Sequence, residues 1–172
     1  MNARSILLFG ASVAVSAILT TAASSDAAWV RSVGVSHCAS TNANGDAVYL
    51  KIGPKGIYNT STSTPLNVVC DVPSDTTYEP RDAISVAVAG YDNSATQAIS
   101  VMLCRRFLSG AGGTCGNATS NGAGNAVGDF MLYPALLPWE DSTTSTFPYL
   151  HAELPPNTDG TNTLTGFRVY YP

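Results

Sequence analysis

Apolar residues in this chain recur at every second position in short runs, and the runs are broken by clusters of glycine, proline, asparagine and serine. A period of two puts alternate side chains on opposite sides of a strand, whereas a helix gathers positions three and four apart. The fullest run is Asp82 to Phe107. Ile84, Val86 and Val88 alternate with small residues, Gly90-Tyr91-Asp92-Asn93-Ser94 supplies turn residues, and Ile99, Val101 and Leu103 alternate again. The pattern predicts two antiparallel strands joined by a short polar loop, each with one apolar face. Neither flank carries a helical period long enough to cover them, so other strands must.

Those strands are legible elsewhere. One begins at Trp29 and runs through Val33 and Val35 towards Cys38, and a second has Val48, Leu50 and Ile52 on one face before Gly53-Pro54-Lys55-Gly56 breaks it. Ile57 to Thr60 is short and extended, and Leu66, Val68, Cys70 and Val72 share the inner side of the next strand. Ser109 to Gly128 holds so many glycines that it is expected to be irregular, because glycine loses the most backbone entropy on ordering. Phe130 and Leu132 mark a strand stopped by Pro134. At the C-terminus Leu150, Ala152 and Leu154 alternate, residues 155–160 turn the chain, and Phe167, Val169 and Tyr171 alternate to the end. This second pair of runs also predicts a hairpin. Roughly seven to nine short strands about ten residues apart predict an all-β fold, a single antiparallel β-sandwich of Ig-like or jelly-roll-like type.

The first segment changes the picture of where the chain works. Residues 1–27 carry Arg4, the apolar run Ile6 to Leu19 and then small residues, the pattern of a secretory signal peptide. The run is shorter than the roughly 20 residues that cross a bilayer. Residues 28–172 are then one domain, secreted or periplasmic, with no membrane insertion after cleavage. A net charge of −4 without a basic run gives no footprint for nucleic acid. Four cysteines behind such a leader imply two disulfides, for which three connectivities exist. Cys38–Cys70 and Cys104–Cys115 are favoured because each joins elements close in sequence. No CxxC pair is present, so a zinc site does not fit the spacing.

Candidate chemistry is sparse. A nucleophilic triad needs a histidine between a nucleophile and a carboxylate; the chain has His37 and His151 and no GxSxG. His151 and Glu153 share one side of a strand, a pairing that suits a solvated surface as well as a catalytic one. Asp71, Asp75, Glu79 and Asp82 supply hard oxygen atoms for calcium, but without EF-hand or RTX spacing. Asn59-Thr60-Ser61 and Asn117-Ala118-Thr119 are formal glycosylation sequons. If the two C-terminal runs pair, Tyr149, His151, Glu153, Arg168 and Tyr170 lie on one surface. Aromatic rings flanked by hydrogen-bonding groups suit sugars, whose C–H faces stack while their hydroxyls take polar partners. Trp139, in the loop Pro138-Trp139-Glu140-Asp141, is a further candidate platform.

The order of motifs carries a resemblance. Cys38 precedes Gly56-Ile57-Tyr58-Asn59-Thr60-Ser61, Leu66-Asn67-Val68-Val69-Cys70, Tyr91-Asp92-Asn93, the strand into Cys104, and Tyr149-Leu150-x-Ala152-x-Leu154-Pro155 before Tyr170. The chain resembles small secreted, disulfide-containing β-sandwich proteins of environmental Gram-negative bacteria, a group with no assigned activity. In that group a cysteine often stands two residues after the tyrosine of the penultimate strand; here His151 takes that place, which leaves the partner of Cys104 open. The resemblance implies the fold and export, and no cofactor or chemistry. The expectation is a secreted non-catalytic binding or structural module, with carbohydrate or another extracellular polymer as partner. The alternative is a small secreted hydrolase, or an inhibitor presenting residues 109–128 to an extracellular enzyme.

Overall fold

The computed structural model describes residues 29–41, 46–72, 82–107, 113–122, 127–136 and 146–172. The expected signal segment, Trp139, Asp75 and Glu79 lie outside them. In chain order the strands begin with β1 (Trp29–Gly34), β2 (Cys38–Ser40), β3 (Leu50–Gly53) and β4 (Gly56–Asn59). Next come β5 (Leu66–Asp71), β6 (Ser85–Asp92), β7 (Ser100–Phe107) and β8 (Gly113–Cys115). The last four are β9 (Thr119–Ser120), β10 (Gly128–Leu132), β11 (Thr146–Leu154) and β12 (Thr163–Tyr171).

They form two antiparallel sheets packed as a sandwich. The front sheet has the order β10-β6-β12-β4-β3, with β1 also on β12, and the back sheet the order β2-β5-β11-β7-β8, with β9 also on β7. Alternation decides what fills the space between them. Val86, Val88, Leu164, Phe167 and Val169 point inward from the front sheet, and Val68, Val101, Leu103, Leu150 and Leu154 from the back. Burying one such side chain stabilises the fold by roughly 1.5–3 kcal/mol, so this shared core is what holds the sheets together. Cys38 pairs with Cys70 and Cys104 with Cys115 across neighbouring strands, and both disulfides are formed.

The two predicted hairpins are not hairpins. β6 lies in the front sheet and β7 in the back; likewise β12 is in front and β11 behind. Residues 93–99 and 155–162 arch from one sheet to the other. An apolar side facing inward is equally satisfied by a neighbour in the same sheet or by one across the core, so alternation cannot tell the two apart. A tight hairpin among the described residues is β3–β4, where Leu50 pairs with Asn59 and Gly53 with Gly56 around Pro54-Lys55.

Three smaller departures have physical causes. The first predicted strand is split by a single turn of 3₁₀-helix at Val35–His37, which carries the chain from the front sheet to the back. Val48 and Ile52 are 60% and 70% exposed, because a second 3₁₀ turn at Asp46–Tyr49 and the edge position of β3 remove them from the core. Ser109 to Gly128 is not wholly irregular: β8 and β9 add to the edge of β7, and Cys115 is bonded into that edge.

Candidate functional site

The arches that cross between the sheets also build one end of the site. Asp92 ends β6 at 1% exposure, and its carboxylate accepts hydrogen bonds from the Ser94 amide (2.8 Å) and from Asn121 Nδ2. Asn121 Oδ1 accepts in turn from the amide of Ile99 (2.8 Å), at the far end of the arch. The second arch locks onto the first. Asp159 accepts from Ser94 Oγ and Thr96 Oγ1, each at 2.7 Å, and Asn162 Oδ1 accepts from the Asn93 amide at 2.8 Å. The hydrogen bond from Ser94, followed by that from Thr96, holds the Asp159 carboxyl below the usual carboxylate range. Asn93 and Thr163 are thereby fixed at the rim of the front sheet.

Register then assembles a row across that sheet's outer surface. Asp129 pairs with Tyr91, Tyr91 with Thr163, Thr163 with Tyr58, and Tyr58 with Lys51. Each neighbouring residue of Tyr58 and Tyr91 in the inward direction is buried, Ile57 at one and Gly90 with Asp92 at the other, so parity turns both tyrosines outward. They stand two strand spacings apart, roughly 9–10 Å, on either side of Thr163. A cleft of about 440 Å³ opens here, lined by Lys55, Tyr58, Tyr91, Asn93, Thr161 and Thr163 among others. Lys55 Nζ sits 4.6 Å from the centroid of the Tyr91 ring.

Two glycines let the hairpin reach that position. Gly56 has φ +136°, a conformation that L side chains rarely adopt, and a Cβ there would overlap the Leu164 carbonyl. The β3–β4 turn can therefore lie close against β12 and send Lys55 across to β6. A Cβ on Gly53 would stand 3.1 Å from Tyr58 Cε1, so the bare glycine lets that ring lean over the edge strand. Beyond the cleft a second hollow of about 200 Å³ follows β12, floored by Ala87, Ala89 and Gly166 and ending at Arg168.

The residues singled out from the sequence are divided between two surfaces. Arg168 and Tyr170 lie on this outer front face, opposite Ala87 and Ser85 of β6. Tyr149, His151 and Glu153 lie on the outer back face, because β11 pairs with β5 and β7 rather than with β12. Those five side chains do not form one surface, and the pairing of the two C-terminal runs is corrected accordingly. His151 stands between Val69 and Met102, and its buried Nδ1 has no hydrogen-bond partner among the described residues. Burial pushes its pKa below the usual histidine value, partly offset by the negative charge of Glu153. Asn59, the first sequon asparagine, is buried, with Nδ2 donating to Thr64, Leu154 and Pro155 carbonyls at 2.8–3.3 Å. Asp71 and Asp82 are exposed, and among the described residues no three His, Cys, Asp or Glu side chains gather as metal ligands.

Tyr58, Tyr91, Lys55, Asn93 and Thr163 escaped the sequence reading. The outward parity of both tyrosines was available, but their meeting depends on the order β6-β12-β4, which no local pattern encodes.

Solved structures share this sandwich architecture. A xylan-binding module, CBM15, superposes with a TM-score of 0.52 at 12% identity, over 84% of this chain and 97% of that one. The two share a fold. A Family 11 Carbohydrate-Binding Module of the cellulosomal cellulase Lic26A-Cel5E of Clostridium thermocellum matches at 13% identity with a TM-score of 0.39, over 83% of this chain and 88% of that one. No family model matches the chain. No curated protein matches it either.

Proposed function

We propose that this protein is a non-catalytic module that binds a carbohydrate polymer along the outer front face. The observation that carries this reading is the row Tyr91–Thr163–Tyr58 beneath the Lys55 turn. Tyr58 and Tyr91, one face of whose ring is covered by Lys55, wall a cleft floored by the buried Thr163, and give apolar surface for sugar C–H groups beside hydrogen-bonding groups for hydroxyls. Arg168 and Tyr170 lie further along β12 on the same face, so the surface extends beyond one sugar ring. The shared fold with a xylan-binding module supports the reading without identifying the ligand. Both disulfides suit work in the periplasm or outside the cell, where thiols are oxidised. Among the described residues no helix is long and apolar enough to cross a membrane.

The test is retention on insoluble polysaccharides. Wild type should be retained on at least one, and a Tyr58→Ala/Tyr91→Ala variant should lose roughly tenfold in affinity, the scale of two lost stacking contacts. Tyr149→Ala, on the opposite sheet, should bind as wild type does. Equal retention of the Tyr58/Tyr91 variant, with its melting transition intact, would move the site elsewhere.

A further inference from the structure

The charges on the front face differ in sign from the chain as a whole. The chain carries a net charge of −4, yet Lys51 and Arg168 point outward from this sheet and Lys55 hangs over it. Of this front sheet's outward strand positions among the described residues, Asp129 is the one carboxylate, and it lies on the edge strand one step beyond Tyr91 from Thr163. Between these cations the floors of the cleft and of the second hollow, which follow one another along β12, are uncharged: Thr163 in the first, and Ala89, Gly166 and Ala87 in the second.

Lys55 and Arg168 mark the two ends of this floor. Lys55 sits at Tyr91, and Arg168 pairs with Ala87, four residues back along β6. At about 3.4 Å per residue the two cations stand roughly 14 Å apart along the strand. That exceeds the screening length of about 8 Å at physiological ionic strength, so each meets its own counter-charge independently. Neither has a carboxylate partner among the described residues. The Tyr91 ring holds the Lys55 ammonium over the cleft by cation–π attraction, and the planar guanidinium of Arg168 fits a carboxylate or sulfate through two parallel hydrogen bonds.

We propose that the groove takes an acidic polysaccharide, with Lys55 and Arg168 pairing two anionic groups, carboxylate or sulfate, on separate sugars of one chain. This rests on the reading of the front face as a carbohydrate site and names its substrate class. Two separated cations reward a polymer, which satisfies both at once, far more than a single acidic sugar, which satisfies one.

The experiment is affinity electrophoresis in gels containing polygalacturonate, dextran sulfate or neutral xylan, at low and high salt. Wild type should be retarded in one of the acidic gels, which one identifying carboxylate or sulfate, and salt should abolish the retardation. Lys55→Gln/Arg168→Gln should weaken it about tenfold, the sum of two exposed charge pairs, with its melting temperature unchanged. Arg106→Gln, an exposed cation on the back sheet, should behave as wild type. Retardation in the neutral gel alone, or an equal loss with Arg106→Gln, overturns the acidic class and leaves the carbohydrate reading standing. No retardation in any gel also overturns the acidic class, while retention on insoluble polysaccharides decides the carbohydrate reading separately.

Discussion

Asn121 joins three elements with one side chain, since its Nδ2 donates to Asp92 while its Oδ1 accepts from the Ile99 amide. Alanine there would leave a buried carboxylate and a buried amide each short of a partner. Unsatisfied groups of that kind cost about 1–3 kcal/mol apiece, so Asn121→Ala should destabilise the fold by about 2–4 kcal/mol in denaturant titration. Exposed polar substitutions such as Thr165→Ala should stay within about 0.5 kcal/mol. His151 gives a prediction with a sign. Its pKa is lowered in the folded chain because burial disfavours the imidazolium. The unfolded chain therefore binds the proton more readily, and stability should fall as pH drops below the ordinary histidine value. His151→Gln should flatten that slope in melting curves taken across mildly acidic pH, while a slope unchanged by the substitution would assign it to other groups.

At the scale of elements, the decisive features are the two arches. Gly160 lies against the Asn93 backbone so closely that a Cβ would overlap its carbonyl. Gly160→Ala should therefore pry the arches apart, lowering the melting temperature and weakening binding together, because Asn93 lines the cleft. Gly34→Ala, where a Cβ meets nothing within 4 Å, is the control. The arches also show how much the sequence could say. Inward and outward positions of β5, β6, β7, β11 and β12 were legible, since Leu66, Val68, Val86, Leu103 and Leu150 alternate as a strand with one buried side must. So was the cysteine pairing that proximity favoured. Sheet membership was not. Asp92, Ser94 and Asn93 read as ordinary turn residues, yet they are anchors whose partners, Asn121, Asp159 and Asn162, lie 29 to 69 residues away. A tyrosine row built by β6, β12 and β4 is equally long-range, so the site followed the topology out of view.

Over the whole molecule, a secretion-suited, disulfide-stapled sandwich presents two outer faces of different character. The back face carries Tyr149, His151 and Glu153 along the single strand β11, flanked by Val69, Met102 and Asn67. The front face carries tyrosines on two strands, a cleft between them and cations at both ends. The front face combines a cleft with aromatic walls and hydrogen-bonding groups, the features on which the proposed carbohydrate site rests. The most direct measurement is a titration of the isotopically labelled protein with soluble oligosaccharides cut from a retained polysaccharide, following each backbone amide by NMR. The shifts should concentrate on residues 53–58, 91–93 and 161–168 and leave β11 undisturbed; shifts centred on Tyr149 and His151 instead would contradict the assignment of the site to the front sheet.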